Sequence, residues 1–304
     1  MAFFSVIIPL FNKETYIKAT LNSVLNQTFS DFEIIIINDG STDESFEIVK
    51  TFNDERIQLI HQENLGLCAS RNIGIKKAKG KFVAFLDADD LWMEDFLQTI
   101  FNLINLQKSY SVFATNVKLL PQNKIQNLAA SPFNKKHITT ISNYFKLCEN
   151  IFGPSSLVLK KDVFKTSGYF NEAVNYGEED DFYIRCFTHF DIVYYNLPKT
   201  YYRTNIPNQL TAPNANFKRK IPNYDFYLKN NNNKDLKKFI DFVHYRLVVL
   251  FKMERNYKLV NFYKGKINVS NLRFIQKIKY YLPTNLFYSS KKIYLWFSKT
   301  FIHS

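Results

Sequence analysis

At 304 residues, with 46% hydrophobic and 22% charged residues, the chain is ordinary for a globular protein and has ample length for one large or two smaller cores. Forty Lys and Arg against 27 Asp and Glu leave a formal net charge of +13, which calls for an anionic partner: a phosphate-bearing substrate, an acidic lipid surface or nucleic acid. Three widely spaced cysteines (Cys68, Cys148, Cys186), with no Cys-x-x-Cys, indicate neither a disulfide framework nor a zinc site, and suit a reduced, cytosolic setting.

Met1 to Pro9 lacks a basic leader and runs straight into apolar residues, so it reads as a first strand, Phe3–Pro9, ended by the proline, and not as a signal peptide. The loop Leu10–Glu14 follows, then an amphipathic helix with Ile17, Leu21, Val24 and Leu25 on one face. Phe32–Ile37 is a second strand, running into Asn38-Asp39-Gly40-Ser41-Thr42-Asp43-Glu44. There Ser41 and Glu44 form a capping-box pattern for a helix Glu44–Phe52. Ile57–His61 is a third strand, and a helix over Cys68–Ala78 stops at Gly80 as a C-cap.

Phe82–Leu86 is a continuous apolar run, the pattern of a strand buried on both faces, and it ends in Asp87-Ala88-Asp89-Asp90. Two residues apart in extended backbone, Asp87 and Asp89 point the same way, and ligands of open α/β sheets bind beyond the strands' carboxyl ends. Two hard oxygen ligands there suit Mg²⁺ or Mn²⁺ bound together with phosphates. The blander use of Asp89 or Asp90 is to N-cap a helix beginning near Leu91–Glu94. Further on, Phe96–Leu106 is a helix, Ser111–Val117 a strand, Leu120–His137 a polar excursion, Ser156–Leu159 a short strand and Lys161–Thr166 a helical turn. Glu178-Glu179-Asp180-Asp181 opens a helix, where acids suit the dipole. Alternating strands and helices over the first 116 residues mark a mostly parallel α/β sheet.

These loops, in this order, resemble the family 2 glycosyltransferases, inverting enzymes of the GT-A fold (Rossmann-like, a mostly parallel sheet flanked by helices). The resemblance rests on Ser5–Glu14, Asn38–Asp43, Asn64–Gly74 and Phe85–Asp90, and extends over about residues 3–205. It implies a nucleotide-sugar pocket built from Pro9, Phe11, Asn12, Glu14, Asp39, Asn64, Arg71, Asp87 and Ala88, with Asp39 on the base edge and Arg71 toward the diphosphate or the Asp87 loop. It implies a divalent metal (Mn²⁺ or Mg²⁺) at Asp89 and Asp87, and a general base at Glu179 with Asp180 as the alternative. The family resemblance implies an Arg six residues after the catalytic acid, and counting back from Arg185 selects Glu179, with helix geometry taken to set which side chains share a face with that arginine; the family's literal Glu-Asp pair selects Asp180. The donor is expected to be a UDP-sugar and the acceptor a glycan or lipid-linked hydroxyl in surface polysaccharide synthesis. Many relatives carry a metal-binding His after a later Tyr-Arg; here Tyr202-Arg203-Thr204-Asn205 has none.

The expected division is a catalytic domain over 1–214 (a nucleotide-sugar half, 1–116, and an acceptor half, 117–214) and a helical, basic and aromatic extension over 215–304. In the tail, Phe274, Ile278, Tyr281, Leu286, Ile293, Trp296, Phe297 and Phe301 alternate with lysines. That suits an anionic membrane surface at the inner face of the cell membrane, packing on the catalytic domain, or a partner helix. Nucleic acid draws on the net charge alone, without a recognition motif. A nucleotidyltransferase lacks its glycine-rich loop after strand one, and a catalytically weak carbohydrate- or nucleotide-binding relative is disfavoured by the retained carboxylates.

Overall fold

The computed structural model describes residues 2–121, 128–207, 209–229 and 231–301, with 294–301 described by backbone alone. Part of the polar excursion, and the side chains of Trp296, Phe297 and Phe301, therefore lie outside the described residues. The chain divides into two compact units. One is Met1–Tyr144 with Asn150–Pro207 and Lys220–Pro222; the other is Phe145–Glu149 with Asn208–Arg219 and Asn223–Ser304.

The first unit is built on a sheet that has nine strands among the described residues. Its strands are β1 (Phe4–Leu10), β2 (Phe32–Asp39), β3 (Ile57–Gln62), β4 (Phe82–Phe85), β5 (Leu91–Trp92), β6 (Val112–Pro121), β7 (Ile138–Ile141), β8 (Leu157–Lys160) and β9 (Ile192–Thr204). They lie in the order β3-β2-β1-β4-β8-β6-β9-β5, with β7 also on β9. The first four strands pair only in parallel among themselves, as their apolar runs separated by helices require. Beyond β4, β8 enters antiparallel between β4 and β6, while β6 and β9 run parallel, so the sheet is mixed.

Both faces are covered, by α1 (Glu14–Leu25), α2 (Ser45–Lys50), α3 (Leu67–Lys77), α4 (Phe96–Leu106), α5 (Val163–Ser167) and α6 (Glu178–Phe187). Val6, Ile8, Ile34, Ile36 and Ala84 point to one face and pack with Ile17, Leu21 and Val24 of α1 and Phe96, Ile100 and Leu103 of α4. Their alternates Ile7, Ile35, Ile37, Val83 and Phe85 are equally buried on the other face, which is why these strands do not alternate with polar residues. Each such side chain, fully buried, contributes about 1.5–3 kcal/mol relative to exposure. Trp92 stacks on Phe96 with ring centroids 4.2 Å apart.

Several sequence expectations are corrected. Pro9 does not end β1: it pairs with Ile37, and the strand continues to Leu10. Ile7 bonds toward β4 through Leu86, and Pro9, two residues on, faces the same way beyond the last β1–β4 pair, so no ladder bond needs its missing N–H. Leu91–Trp92 is a strand against β9, so neither Asp89 nor Asp90 caps a helix there. The Ser41–Glu44 capping box does not form. Glu44 sits at the N-cap of α2 with no side-chain cap bond, and Ser41 Oγ instead accepts the Asn12 amide (3.2 Å). Gly80 is not a helix cap either, since α3 ends at Lys77 with Ala78 as its C-cap. A Cβ at Gly80 would lie 2.6 Å from Ser5 N and 2.7 Å from the Phe4 carbonyl carbon, so β1 itself demands glycine.

The second unit is helical: α7 (Lys234–Met253), α8 (Tyr257–Lys264), α9 (Phe274–Tyr281) and α10 (Thr284–Phe301). Asn233 caps α7 through the Asp235 and Leu236 amides, and Asn256 caps α8 through Leu259. Phe239, Ile240, Val243, Leu247 and Val248 bury one side of α7. The buried Lys252 ammonium closes the C-terminus of α9, donating to the carbonyls of Lys279 (2.6 Å), Tyr280 (2.9 Å) and Leu282 (2.5 Å). Burial lowers Lys252 to about 8. Among the described residues, no helix is long and apolar enough to cross a membrane.

Candidate active site

Because β1 to β4 are parallel, their carboxyl ends open on one edge of the sheet, and the loops that follow them are neighbours there. The first two loops are laced together. Asn12, at φ 50°, accepts the Thr42 amide on Oδ1 (2.8 Å), and the Lys13 amide donates to Ser45 Oγ (2.7 Å). The Glu14 amide donates to Asp43, and the Glu14 carboxylate accepts the Glu44 amide (2.9 Å). Asn12 and Glu14 thus tie the two loops together, while Phe11 stands 42% exposed beside them and Pro9 lies buried in β1.

Asp39, 3% exposed, is engaged by its own scaffold. One carboxylate oxygen accepts from Gln62 Nε2 (2.7 Å) and the Leu65 amide (2.8 Å), and the other accepts the Gly66 amide (2.9 Å). Its side chain makes this inter-loop clamp rather than an Asx turn at Gly40. Gly66 turns at φ 93°, a left-handed geometry that favours glycine and lets its amide face Asp39. Asn64 is exposed and packs its backbone against Gly40.

At the end of β4 each carboxylate has a separate partner. Asp87 takes Arg71 Nη2 (2.9 Å), Asp89 takes Lys13 Nζ (2.7 Å), and Asp90 accepts the Ser155 hydroxyl (2.6 Å) and the Arg203 amide (3.0 Å). Ser155 Oγ also accepts the Asp87 amide (3.1 Å), so one hydroxyl fixes both ends of the loop. Thr20 Oγ1 lies 3.0 Å from the carbonyl of the buried Ala88 and 2.9 Å from that of Asp90. Burial, against the pull of Lys13, raises the Asp89 carboxyl. Burial with Asp89 and Asp87 nearby raises Asp90 well above its ordinary value.

Arg71 joins this loop to α6. Wholly buried, it reaches Asp87 through Nη2, Glu178 Oε1 through Nη1 (3.4 Å) and Glu179 Oε1 at 4.0 Å, with its guanidinium 5.2 Å from the Phe170 ring centre. Burial opposes the Arg71 charge, but Asp87 and Glu178 outweigh it and hold the pKa above the usual value. Glu178 is raised by burial and held back by Arg71. Burial first, then Glu178, pushes Glu179 up to about 8, yet its side chain keeps 35% exposure, so the group is reachable and accepts a proton increasingly as pH rises through that value. Asp180 is 5% exposed. Asp181 pairs with Arg185 (2.9 Å) one helical turn on. This corrects the premise that Arg185 shares a face with Glu179: six residues rotate an α-helix by about 240°, and Arg185 serves Asp181 instead.

The structure therefore gathers Arg71, Asp87, Glu178 and Glu179 by contact, holds Asp89 beside them on the same loop, and uses Asn12, Glu14 and Asp39 to bind the loops to one another. Sequence reasoning missed Lys13 and Ser155. Lys13 lay inside a loop already singled out and was the nearest cation to it; Ser155, some 65 residues from Asp90, gave no local signal. Cys68 is no nucleophile, since burial pushes it up to about 12. Among the described residues, no three His, Cys, Asp or Glu side chains converge as a ready metal cage. Two hard carboxylates crowded by further negative charge still fit a divalent cation that completes its shell with water and phosphate oxygens.

The sequence model of Glycosyl transferase family 2 matches residues 5–165. Glycosyltransferase GlyA of Streptococcus pneumoniae serotype 4 is 44% identical over 102 residues, 33% of this chain and 15% of that protein. Uncharacterized glycosyltransferase RP339 of Rickettsia prowazekii is 28% identical over 187 residues, 60% of this chain and 58% of that one. In each case less than two thirds of the relative's length is matched. Among solved structures, S. aureus TarS 1-349 in complex with UDP-GlcNAc superposes with a TM-score of 0.62 at 18% identity, over 96% of this chain and 92% of that chain. Its complex with UDP gives 0.60. At that identity the likeness establishes the GT-A architecture.

Proposed function

The chain belongs to glycosyl transferase family 2, and from that premise we propose that it transfers a sugar from a UDP-sugar to a hydroxyl of a glycan or lipid-linked acceptor, with inversion at the anomeric carbon. The observation that carries this reading is the Arg71 junction. One buried guanidinium holds Asp87 of the strand-end loop beside the carboxylates of α6, so a diphosphate-side group and a proton-accepting group belong to one preorganised set.

In this reading Asp87 and Ala88 meet the nucleoside, and Asp89, with Asp87, would hold the divalent metal, which supplies neutralisation of the leaving diphosphate. Lys13, now on Asp89, would turn toward the same phosphates. Asn12, Glu14, Asn64 and the Asp39 clamp shape the base pocket, and Phe11 offers its ring. Glu179 takes the acceptor proton as the hydroxyl oxygen attacks, and Arg71 keeps its carboxylate aimed. Asp180, less exposed, is the second choice. The UDP preference is supported by the UDP and UDP-GlcNAc complexes of the TarS neighbours. Residues 1–214 would be the catalytic part and the rest an extension.

The test is a panel of nucleotide-sugars with release of the nucleoside diphosphate as readout, in Mn²⁺, Mg²⁺ or chelator. UDP release from at least one UDP-sugar, lost in Asp89→Asn together with metal-dependent UDP binding by calorimetry, is the expected result. Release from none of the panel, with no UDP binding, would overturn the reading.

A further inference from the structure

The outward surface of α9 is inverted relative to an ordinary surface helix. Phe274 is 78% exposed, Ile275 64%, Ile278 52% and Tyr281 64%, while Gln276 and Tyr280 are more covered. At 100° per residue the four apolar side chains fill an arc of about 120°. Lys277 borders that arc on one side and Lys279 on the other. Single exposed apolar residues need no explanation, but a continuous face rimmed by charge does.

This face is not a frayed end. The Arg273 amide is capped by Gln276 Oε1 (2.8 Å), the Arg273 guanidinium donates to the Leu147 carbonyl (3.1 Å), and Tyr280 donates to the Lys264 carbonyl (3.2 Å). The Lys252 ammonium holds the opposite end. The helix is thus fastened through its polar side, and the apolar side is left outward. The same composition continues into α10, where Leu286 is 60% and Ile293 56% exposed.

Charge selects the occupant. From residue 255 to 304 the sequence holds ten Lys and Arg and no Asp or Glu. A second copy would bring the same cations against them, and a nucleic acid offers nothing to an apolar arc that wide. An anionic bilayer offers hydrocarbon to the centre of the arc and phosphate to its two lysine borders.

We propose that α9 docks on an anionic lipid surface, its Phe274–Ile275–Ile278–Tyr281 face entering the interface and Lys277 and Lys279 meeting lipid phosphates. This goes beyond the donor chemistry and stands independently of it.

The full chain is sedimented with vesicles of phosphatidylcholine, with and without phosphatidylglycerol. It should partition at least about tenfold more strongly onto the anionic vesicles, less so in high salt. Phe274→Ser with Ile275→Ser and Ile278→Ser should remove that binding while leaving the thermal melt and UDP-sugar turnover in solution unchanged, because these side chains are outside the core. Lys277→Glu with Lys279→Glu, which alters no apolar contact, should remove the preference for anionic lipid. Equal partition onto both vesicle types, or parental binding by the triple serine variant, would overturn the proposal. So would a concentration-dependent dimer that the triple variant disperses in a chain that binds no vesicles.

Discussion

Replacing Arg71 with Met tests the junction of the site most directly. The guanidinium is wholly buried, Glu178's side chain is 10% exposed and Asp87's 25%. Met fills much of the same volume, so the loss is electrostatic: two recessed carboxylates lose their common cation. Breaking a buried pair in this way costs about 3–5 kcal/mol at a pH where the carboxylates stay ionised. The cost depends on pH with a definite sign. Glu178 is already raised above its ordinary 4.5 by burial, against Arg71's pull, so removing Arg71 raises it further. An acid whose folded pKa exceeds its unfolded value loses stability as pH climbs from the unfolded value through the folded one. The penalty in Arg71→Met should therefore be smaller at about pH 5 than at about pH 8. Urea unfolding at both pH values, followed by the fluorescence of Trp92 in the same unit, measures it. Adding Glu178→Gln should return about 1–3 kcal/mol at the higher pH, because a neutral amide is cheaper to bury than an unpaired charge. A loss below about 1 kcal/mol at the higher pH, or an equal loss at both, would refute the account.

With Glu179 raised to about 8, kcat/KM should climb with pH through that value as the base ionises. Glu179→Gln should lower turnover by about 10²–10⁴-fold and abolish that limb with UDP affinity kept, whereas Asp180→Asn should do less; a dead Asp180→Asn beside an active Glu179→Gln would move the base to Asp180. Gly80→Ala, whose Cβ would meet β1 backbone at 2.6 Å, should cost about 1–3 kcal/mol in urea unfolding, and an unchanged midpoint would mean β1 yields more easily than a packed strand does.

The first four strands and their helices were legible in the sequence because each is a β-branched or aromatic run followed by a polar loop, and those loops carried the resemblance. Beyond Leu86 the pattern still gave the Phe96–Leu106 helix, the strands near Ser111–Val117 and Ser156–Leu159 and the helix opening at Glu178, but it missed elements that exist only through their neighbours. Leu91–Trp92 is too short to show a period and becomes a strand only because β9 lies alongside. Ser41 followed by Glu44 is a sound capping signal in an isolated peptide, yet Asn12, from a loop 29 residues away, claims the serine. Gly80 reads as a helix stop by position, but what it answers to is the backbone of β1. At the site, carboxylates could be found one by one, since acids at strand ends are visible. Which partner serves which acid was visible only as Arg71 toward the diphosphate or the Asp87 loop; Lys13–Asp89, Arg71–Glu178 and Ser155–Asp90 are pairings made by topology. The base assignment shows the difference: spacing from Arg185 pointed to Glu179, but the contact that favours it comes from Arg71.

The separation of Arg71's partners also has a consequence for synthesis. Asp87 lies 16 residues after it and Glu178 lies 107 after it. At translation rates of 5–20 residues per second, about 5–20 s pass between the emergence of Arg71 and that of its α6 partner. For that interval a nascent chain holds the loops after β1 to β4 without the carboxylates of α6, and β4 waits for β8, its other neighbour in the sheet. The loops after β1 to β4 are thus complete well before α6 emerges, and a chain truncated between the two keeps an unsealed strand edge for chaperones to find.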